Sequence, residues 1–263
     1  MEMNTGICGL SLVAVREKPS HKSEMINQLL FGDVFLILNR FDTWLLIESA
    51  DDHYQGWVEE NQVELIDKSD FESIQSEEAV YTEHLCCRVR IGETNQWLSA
   101  GSRLPHYHKD HFKIGEKVGT LAKECAVITG IRDTTSLIIS AKKYLGTPYL
   151  WGGRSSSGLD CSGFTQIVFK MNGYQLPRDS SQQAKVGDNI DFIHEALPGD
   201  LVFFENEEQQ IAHVGILMKE NQIIHASGQV RIDPIDHEGI FNKEKKKYTH
   251  KLRLIKRILS EEN

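Results

Sequence analysis

Long apolar segments and paired cysteines are both missing from this chain. No segment approaches the roughly 18 consecutive apolar residues of a transmembrane helix, so we expect no membrane partner. The apolar stretch at residues 7–15 is short and follows Glu2 instead of basic residues, which is not the pattern of a signal peptide. The cysteines number five, and an odd count fits reduced thiols better than a disulfide framework. Together these features predict a cytoplasmic protein.

Positive charge is also scarce. Lys and Arg total 29 against 38 Asp and Glu, which gives a formal net charge of −9. The one cationic run, at residues 243–247, is interpreted as a solvated loop. This charge balance argues against nucleic acid as a partner.

A recognisable metal-binding pattern is absent as well. His106, His108 and His111 lie close together, but their spacing matches no standard zinc motif, and Cys86 and Cys87 are adjacent instead of two residues apart. We therefore interpret the three histidines as part of an exposed loop. The sequence predicts no metal site and no cofactor.

A single thiol stands out from the remainder of the chain. Cys161 lies in the glycine-flanked run at residues 158–164, directly before apolar residues with helical spacing, namely Phe164, Ile167, Val168 and Met171. This spacing predicts a helix with one buried face that begins at or just before Cys161. The unpaired N–H groups and the dipole at a helix N-terminus favour the thiolate, so we expect a lowered pKa and a nucleophilic sulfur.

Two histidines supply the base that such a nucleophile needs. His213 opens the strand-like run at residues 212–217, His225 lies within the run at residues 223–226, and the turn-like residues 219–222 between them predict a hairpin. In the predicted triad His213 takes the thiol proton, and His225 bonds the other nitrogen of His213 and fixes its tautomer. Each of these residues taken alone is better explained as part of a core. Their joint arrangement favours catalysis.

Four segments carry a resemblance to a known family. They are residues 148–153, 158–164, 197–204 and 213–216, and together they resemble the NlpC-type (NlpC/P60) cysteine peptidases of bacterial cell-wall peptides. The resemblance implies a papain-like α+β fold with the cysteine on a helix and the histidines on an antiparallel sheet. It also implies His225 as the third polar residue. An oxyanion would be met by the backbone N–H of Cys161, with Tyr149 or Trp151 lining the same cleft.

The N-terminal half has a different character. Residues 1–66 contain short strands separated by turns, and residues 31–34, 42–44 and 54–58 resemble bacterial SH3-like barrels. The polar segment 67–78 is interpreted as a linker, and residues 79–131 as a divergent second barrel. Residues 132–263 form the predicted catalytic domain, whose first helix is capped by Thr134 or Thr135. The predicted fold class is α+β: a papain-like catalytic domain preceded by two small all-β SH3-like barrels.

This layout resembles a narrower group, the cytoplasmic γ-D-glutamyl diamino-acid endopeptidases. The resemblance implies hydrolysis of the bond between γ-D-Glu and meso-diaminopimelate or L-lysine in free peptides, with release of L-Ala-D-Glu during peptidoglycan recycling. It implies a small peptide partner with a free N-terminal L-Ala. The positions that match the substrate-binding motif are Asp160, Ser162, Arg178 and Asp179. Tyr54 of the first barrel is the candidate tyrosine that helps to hold the amine. Trp151, upstream of the nucleophile in the sequence, is a further candidate substrate-binding residue.

Simpler interpretations stay open for several of these residues. Arg178 pairs either with a nearby carboxylate or with the α-carboxylate of the substrate, or it lies on the surface. Asp179 is equally well explained as a helix cap, and Trp151 as a core aromatic residue.

Two other functions also remain. One is a thiol amidase or acyltransferase with another acyl substrate, because the triad does not select the acyl group. The other is a non-catalytic module that binds wall peptides or a protein partner. The sequence does not decide the oligomeric state.

Overall fold

The computed structural model describes residues 4–130 and 133–259. The chain divides into two compact units, Met1–Gly130 with Trp151–Ser157 and Ile131–Leu150 with Gly158–Asn263. The predicted boundary between the second barrel and the catalytic domain, at residues 131 and 132, lies outside the described residues, as do the predicted outer ends at residues 1–3 and 260–263. Along the part of the chain that is described, no helix is both long enough and apolar enough to cross a bilayer.

The first unit begins with an antiparallel seven-stranded sheet. Its strands are β1 (Thr5–Ile7), β2 (Leu12–Arg16), β3 (Met25–Leu30), β4 (Val34–Phe41), β5 (Trp44–Ser49), β6 (Gln55–Glu59) and β7 (Glu64–Ile66). A 3₁₀ turn at Glu60–Gln62 precedes the last strand, and the strand order is β3-β2-β6-β5-β4-β1-β7. Side chains alternate between the two faces of β2, so Val13 and Val15 point into the core. Leu12, the first residue of the strand, is exposed. The short strands predicted between residues 12 and 58 are confirmed.

The segment predicted to be a linker is a helix. Helix α1 (Lys68–Ser76) begins after Asp67, whose Oδ1 accepts a hydrogen bond from the backbone N of Asp70 at 2.8 Å. Phe71 and Ile74 are three residues apart and therefore share one face, which is buried. The linker interpretation is wrong because two apolar residues at helical spacing are enough to anchor an otherwise polar helix.

A second group of strands completes this unit. The strands are β8 (Tyr81–Thr82), β9 (Cys87–Ile91), β10 (Thr94–Leu98), β11 (His111–Ile114), β12 (Lys117–Leu121) and β13 (Val127–Ile128). Four of them form a sheet in the order β10-β9-β12-β11, and β13 pairs with β8. One apolar cluster contains Ile7 of β1, Phe31 in the turn after β3, Phe71 of α1, and Val89 and Phe112 of the second sheet. The subdivision at residues 66 and 79 stays a prediction, because a common core joins the two parts.

A short segment from later in the chain also belongs to the first unit. It contains β14 (Arg154–Ser155). The buried Arg154 donates from Nη2 to Asp33 Oδ2 at 3.0 Å, and its backbone N donates to Gln28 Oε1 at 3.0 Å. Ser156 is held in turn by Ser99, whose Oγ accepts from the Ser156 backbone N at 2.7 Å. Buried ionic and polar contacts therefore fasten residues 151–157 to the first unit.

The second unit is a mixed α/β structure. Its helices are α2 (Thr134–Lys143), α3 (Cys161–Met171) and α4 (Ser180–Gln183); its strands are β15 (Gly158–Leu159), β16 (Asp188–Ile190), β17 (Leu201–Glu205), β18 (Ile211–Met218), β19 (Gln222–Ser227), β20 (Gln229–Pro234), β21 (Gly239–Asn242) and β22 (Lys247–Arg257). The antiparallel sheet has the order β16-β22-β17-β18-β19-β20, with β21 on β22. Helix α3 packs against β18, β19 and α2. The predicted α+β class is confirmed.

Two details of the helices differ from prediction. Asp133 caps α2, since its Oδ1 accepts from the backbone N of Ser136 at 2.8 Å, so a cap at Thr134 or Thr135 is wrong. Helix α3 is buried on all sides, not on one face. Its polar side chains tolerate burial because they are bonded: the Thr165 hydroxyl donates to Gln183 Oε1 at 2.7 Å, and Gln166 Nε2 donates to the Leu176 carbonyl at 2.9 Å.

The predicted hairpin is confirmed. Strands β18 and β19 are antiparallel, and Met218 lies opposite Gln222 at the turn. Glu220 and Asn221 in that turn have φ values of 61° and 52°, the left-handed conformation that tight turns need. The hairpin brings the strand of His213 next to the strand of His225.

Candidate active site

Cys161 is the first residue of α3, as the sequence predicts. Asp160 immediately before it adopts an extended conformation, and its Oδ1 accepts from the backbone N of Gly163 at 2.7 Å. An aspartate in this position satisfies a donor that the helix cannot satisfy itself. The thiol is therefore held in place by a capped, fully packed helix, and Cys161 is only 7% exposed.

The expected lowering of the thiol pKa is wrong. Burial raises the pKa of Cys161 from its ordinary value of 9 to about 11, and the Asp160 carboxylate adds to the rise. Hydrogen bonds from the backbone of Val214 and Ser162 and the charge of Arg178 act in the opposite direction. A helix terminus contributes about 0.3–1 kcal/mol, whereas the net rise corresponds to about 3 kcal/mol against the thiolate. Desolvation wins, so the resting sulfur carries its proton.

The two predicted histidines are in direct contact. His213 Nε2 lies 2.8 Å from His225 Nδ1, and both side chains are buried. Gly215 lies directly across from His225 in the β18–β19 register. A Cβ at Gly215 would stand 2.9 Å from the His225 Cβ, closer than real Cβ contacts, so the glycine leaves the room that the second imidazole occupies. The backbone of Val214, next to His213, bonds the sulfur of Cys161.

A carboxylate that the sequence interpretation missed continues this chain. His225 Nε2 lies 3.1 Å from Asp233 Oδ2, and Asp233 is on β20. Arg231 holds the same carboxylate: its Nε is 2.7 Å from Oδ2, and its Nη2 donates to Oδ1 at 3.0 Å. The result is a hydrogen-bonded series from His213 through His225 to Asp233.

A third histidine, His250, which the sequence analysis did not single out, packs against His213. The ring of His250 on β22 stacks on His213 with centroids 4.2 Å apart and planes inclined by 29°. Burial, followed by the nearby His225 and His250, lowers the pKa of His213 well below its ordinary value. Burial and His225 likewise lower the pKa of His250 to about 4, against an opposing effect of Asp233. Both rings are therefore neutral at pH 7.

Arg178 and Asp160 form a buried ion pair beside the nucleophile. Arg178 Nη1 donates to Asp160 Oδ1 at 3.0 Å, and Nη2 donates to Asp160 Oδ2 at 2.5 Å. Arg178 Nη1 also donates to the Ser162 hydroxyl at 2.9 Å. The structure thus brings these three predicted residues together, and it corrects the surface alternative for Arg178, which is 1% exposed. Of the two pairings that the sequence left open, the one with a nearby carboxylate is present.

Two further predicted residues lie in the same unit. Asp179 is the N-cap of the short α4, and its backbone N donates to Gln182 Oε1 at 3.3 Å. Tyr149 lies upstream of the nucleophile; burial, then Cys161 and Asp160, raise its pKa to about 12. The Tyr149 hydroxyl is therefore protonated at neutral pH and is able to donate a hydrogen bond.

Tyr54 and Trp151 belong to the first unit. Tyr54 is partly buried in the turn before β6, and its backbone N donates to Asp52 Oδ1 at 3.1 Å. Trp151 is 61% exposed, so its interpretation as a core aromatic residue is wrong; its Nε1 donates to Glu24 Oε1. A role of either residue in substrate binding stays a prediction.

His106 and His108 precede β11, and His111 is its first residue, so the loop interpretation is wrong for His111. His106 Nδ1 lies 3.1 Å from Glu77 Oε2, and His111 Nδ1 lies 2.9 Å from the Lys109 carbonyl. Within residues 4–130 and 133–259, no three His, Cys, Asp or Glu side chains are arranged to hold a metal ion.

The arrangement of thiol and imidazoles suits general-base activation of a nucleophile. A protonated sulfur lies beside a strand that presents a neutral imidazole, whose other nitrogen is bonded to a second imidazole. A neutral imidazole accepts the thiol proton as the sulfur attacks, and the resulting cation is stabilised through the hydrogen bond behind it. This is the chemistry of acyl transfer through a thioester.

Comparison with known proteins agrees with this chemistry. The sequence model of the NlpC/P60 family matches residues 146–251, and that of the bacterial dipeptidyl-peptidase Sh3 domain matches residues 15–63. The γ-D-glutamyl-L-lysine dipeptidyl-peptidase of Bacillus subtilis (strain 168) is 31% identical over 214 residues, which cover 76% of this chain and 71% of the relative. The protein of the same name from Bacillus cereus (strain ATCC 10987 / NRS 248) is 26% identical over 247 residues, 84% of this chain and 73% of that protein.

Solved structures show the same fold. An NlpC/P60 family protein from Bacillus cereus ATCC 10987 superposes with a TM-score of 0.83 at 20% identity, covering 97% of this chain and 100% of that one. An NlpC/P60 endopeptidase from Photobacterium damselae subsp. piscicida gives a TM-score of 0.75 at 20% identity, covering 96% and 71%. The predicted combination of an SH3-like all-β N-terminal region with a papain-like α/β region is thereby confirmed at the level of the fold.

Proposed function

Because this chain belongs to the NlpC/P60 family and is a cysteine peptidase, we propose that it hydrolyses the γ-D-glutamyl bond to a diamino acid in free cell-wall peptides. The substrate is L-Ala-γ-D-Glu followed by meso-diaminopimelate or L-lysine, and the dipeptide product is L-Ala-D-Glu. The observation that carries the proposal is the 2.8 Å contact between His213 and His225 in the unit that contains Cys161. The names of the two Bacillus relatives support the choice of the γ-D-glutamyl bond.

The reaction follows from the protonation states. Neutral His213 removes the thiol proton of Cys161 as the sulfur attacks the γ-carbonyl carbon of D-glutamate. The imidazolium of His213 then protonates the amine of the departing diamino acid, which leaves L-Ala-D-Glu as a thioester on Cys161. Water, deprotonated by His213, hydrolyses the thioester and regenerates the thiol.

The oxyanion of each tetrahedral intermediate needs donors. The backbone N–H of Cys161, at the start of α3, points along the helix direction that favours negative charge. The backbone of Tyr149 pairs with Leu159, two residues before Cys161, and the protonated hydroxyl of Tyr149 is able to act as a second donor. We assign the oxyanion to these two groups.

Recognition of a free amine is assigned to the motif residues. A carboxylate in a closed pocket accepts an ammonium group and disfavours an amide that carries a glycan-linked lactyl group. Asp179 is the amine-binding carboxylate in this proposal, while Asp160 and Ser162 are already bonded by Arg178. The binding roles of Tyr54 and Trp151 rest on the sequence resemblance alone. In this assignment the Asp160–Arg178 pair shapes the pocket and neutralises its own charge. Such a preference for free peptides fits a role in peptidoglycan recycling in the cytoplasm.

The decisive experiment compares two peptides. Purified protein is incubated with L-Ala-γ-D-Glu-meso-diaminopimelate and with its N-acetylated form, and mass spectrometry follows the release of L-Ala-D-Glu; the L-lysine peptides are tested in the same way. Release from the free peptides alone supports the proposal. Cleavage of the acetylated peptide too would retain the peptidase but remove the amine-binding roles of Tyr54 and Asp179.

Matched variants identify the nucleophile and the base. Cys161→Ala and His213→Ala should abolish turnover with the fold retained, whereas Cys86→Ala, at an exposed cysteine, should not change it. Substantial turnover in Cys161→Ala would refute the assignment. Failure to cleave either peptide, together with acylation of Cys161 by another donor, would favour a thiol amidase or acyltransferase.

A further inference from the structure

The geometry points to Asp233 as a positioning residue that sets the direction of the whole hydrogen-bond series, so that His213 presents an unprotonated Nδ1 to the thiol. We propose a four-member series, Cys161–His213–His225–Asp233, in place of a triad. This inference rests on the proposed function, because it concerns how the same base is kept ready. Asp233 itself touches neither the thiol nor the substrate in this assignment.

Asp233 lies at the end of the hydrogen-bond series, where it acts as an acceptor. An ionised carboxylate only accepts hydrogen bonds. Arg231 engages both Asp233 oxygens, with Nε 2.7 Å from Oδ2 and Nη2 3.0 Å from Oδ1. Burial raises the pKa of Asp233, but the hydrogen bonds from His225 and Arg231 outweigh burial and lower it. Asp233 is therefore an acceptor at neutral pH.

The acceptor at Asp233 determines where the protons of the two imidazole rings lie. His225 Nε2, at 3.1 Å from Asp233 Oδ2, must donate because its partner has no proton. When its single proton is on Nε2, His225 has a bare Nδ1, which accepts from His213 Nε2 across 2.8 Å. A neutral His213 that donates from Nε2 has a bare Nδ1, the lone pair that takes the thiol proton. One acceptor at the end of the series thus determines both tautomers.

Removal of that acceptor should reverse the hydrogen bonds of the series. In Asp233→Asn, the amide oxygen takes the place of Oδ1, where it keeps the hydrogen bond from Arg231 Nη2. The amide NH₂ then takes the place of Oδ2 and faces His225 Nε2. His225 must then carry its proton on Nδ1, and His213 Nε2 must accept. The proton of His213 moves to Nδ1, where it blocks the base. The side-chain volume is conserved, yet every hydrogen bond in the series is reversed.

Nitrogen NMR tests the tautomers without any assay of activity. Protein labelled with ¹⁵N-histidine is studied at neutral pH by long-range proton–nitrogen correlation, with signals assigned from His213→Gln and His225→Gln. We expect a protonated Nε2 and a bare Nδ1 in both rings, and the opposite tautomer of His225 in Asp233→Asn. A protonated Nδ1 on either ring of the native protein, or two protons on His225, would overturn the proposal.

Kinetics provide the second measurement. Asp233→Asn should lower kcat by about 10²- to 10⁴-fold, as expected when a catalytic imidazole is held in the wrong tautomer, with KM changed less than about twofold. Asp236→Asn is the matched control: Asp236 accepts from the Tyr248 hydroxyl at 2.6 Å, outside the series, and the variant should keep native kcat.

The two measurements distinguish failure of the role proposed for Asp233 from failure of the proposed function. A folded Asp233→Asn with native kcat would overturn the proposal. If the peptides are not cleaved at all, the proposed function fails while the NMR result on the native protein still decides the tautomers. If Asp233→Asn does not fold, the native spectrum remains sufficient.

Discussion

Removal of Arg178 should cost more stability than removal of any exposed arginine. Arg178 and Asp160 have side chains that are 1% and 8% exposed and are joined by two hydrogen bonds of 3.0 and 2.5 Å. At about 3 Å and an effective dielectric constant near 20, two unit charges attract by about 5 kcal/mol. Arg178→Met leaves the buried Asp160 carboxylate without this partner, so we expect the free energy of unfolding to fall by about 3–5 kcal/mol.

Urea denaturation at 25 °C and pH 7 measures this change, with Arg88→Met as the control. Arg88 pairs with Glu124 at 3.2 Å, but the two side chains are 48% and 63% exposed, so its loss should cost under about 1 kcal/mol. The double variant Asp160→Asn with Arg178→Met should recover about half of the loss or more, because no buried charge remains and asparagine still caps α3. A loss below about 1 kcal/mol in Arg178→Met alone would refute the reasoning.

Three other predictions concern the same unit. In the folded chain the pKa values of His213 and His250 are lowered, so between pH 6.5 and 4 these residues take up protons only in the unfolded chain. The free energy of unfolding should therefore fall as the pH falls, by up to about 3 kcal/mol for His250. Urea titrations at pH 7 and pH 4.5 should show this loss, smaller in His250→Phe; an equal loss in both proteins would contradict it. Gly215→Ala places a Cβ 2.9 Å from that of His225, so kcat should fall at least about tenfold, and a fully active variant would exclude the packing argument. Cys161, with a pKa of about 11, is only about one part in a thousand ionised at pH 8, so iodoacetamide should label the exposed Cys86 first in a mass-spectrometric time course; faster labelling of Cys161 would mean that its pKa is not raised.

The positions of the reacting groups were predictable because local patterns encode them. A glycine-flanked cysteine before residues with helical spacing predicts where α3 begins, and two histidines in apolar runs joined by a short turn predict the hairpin. In both cases the relevant residues lie within about a dozen positions of each other. Asp233 follows His225 by eight residues on the next strand, so a third strand in the same meander was a signal that could have found it.

The remaining features depend on distant parts of the chain. His250 reaches His213 from β22, far away in sequence, and no local pattern links the two. The pKa of Cys161 depends on burial, which a helix start alone does not reveal. The helix dipole favours the thiolate, but its effect is smaller than the cost of burying the charge. Helix α1 was missed because its polar residues outnumber the two apolar ones that anchor it. The exposed Trp151 likewise bonds Glu24, 127 residues away, a contact that no local pattern reveals.

Residues 151–157, just before the nucleophile, limit where the chain can be cut into two fragments. Residues 151–157 belong structurally to the N-terminal unit, where Arg154 is bonded to Asp33 and Gln28, although the family match for the peptidase part begins at residue 146. A gene fragment that starts at residue 133 would therefore carry a buried arginine, seven residues before Cys161, without its carboxylate. Engineering that exchanges the N-terminal half must therefore keep a carboxylate at the place of Asp33 and an amide at the place of Gln28 as partners for Arg154.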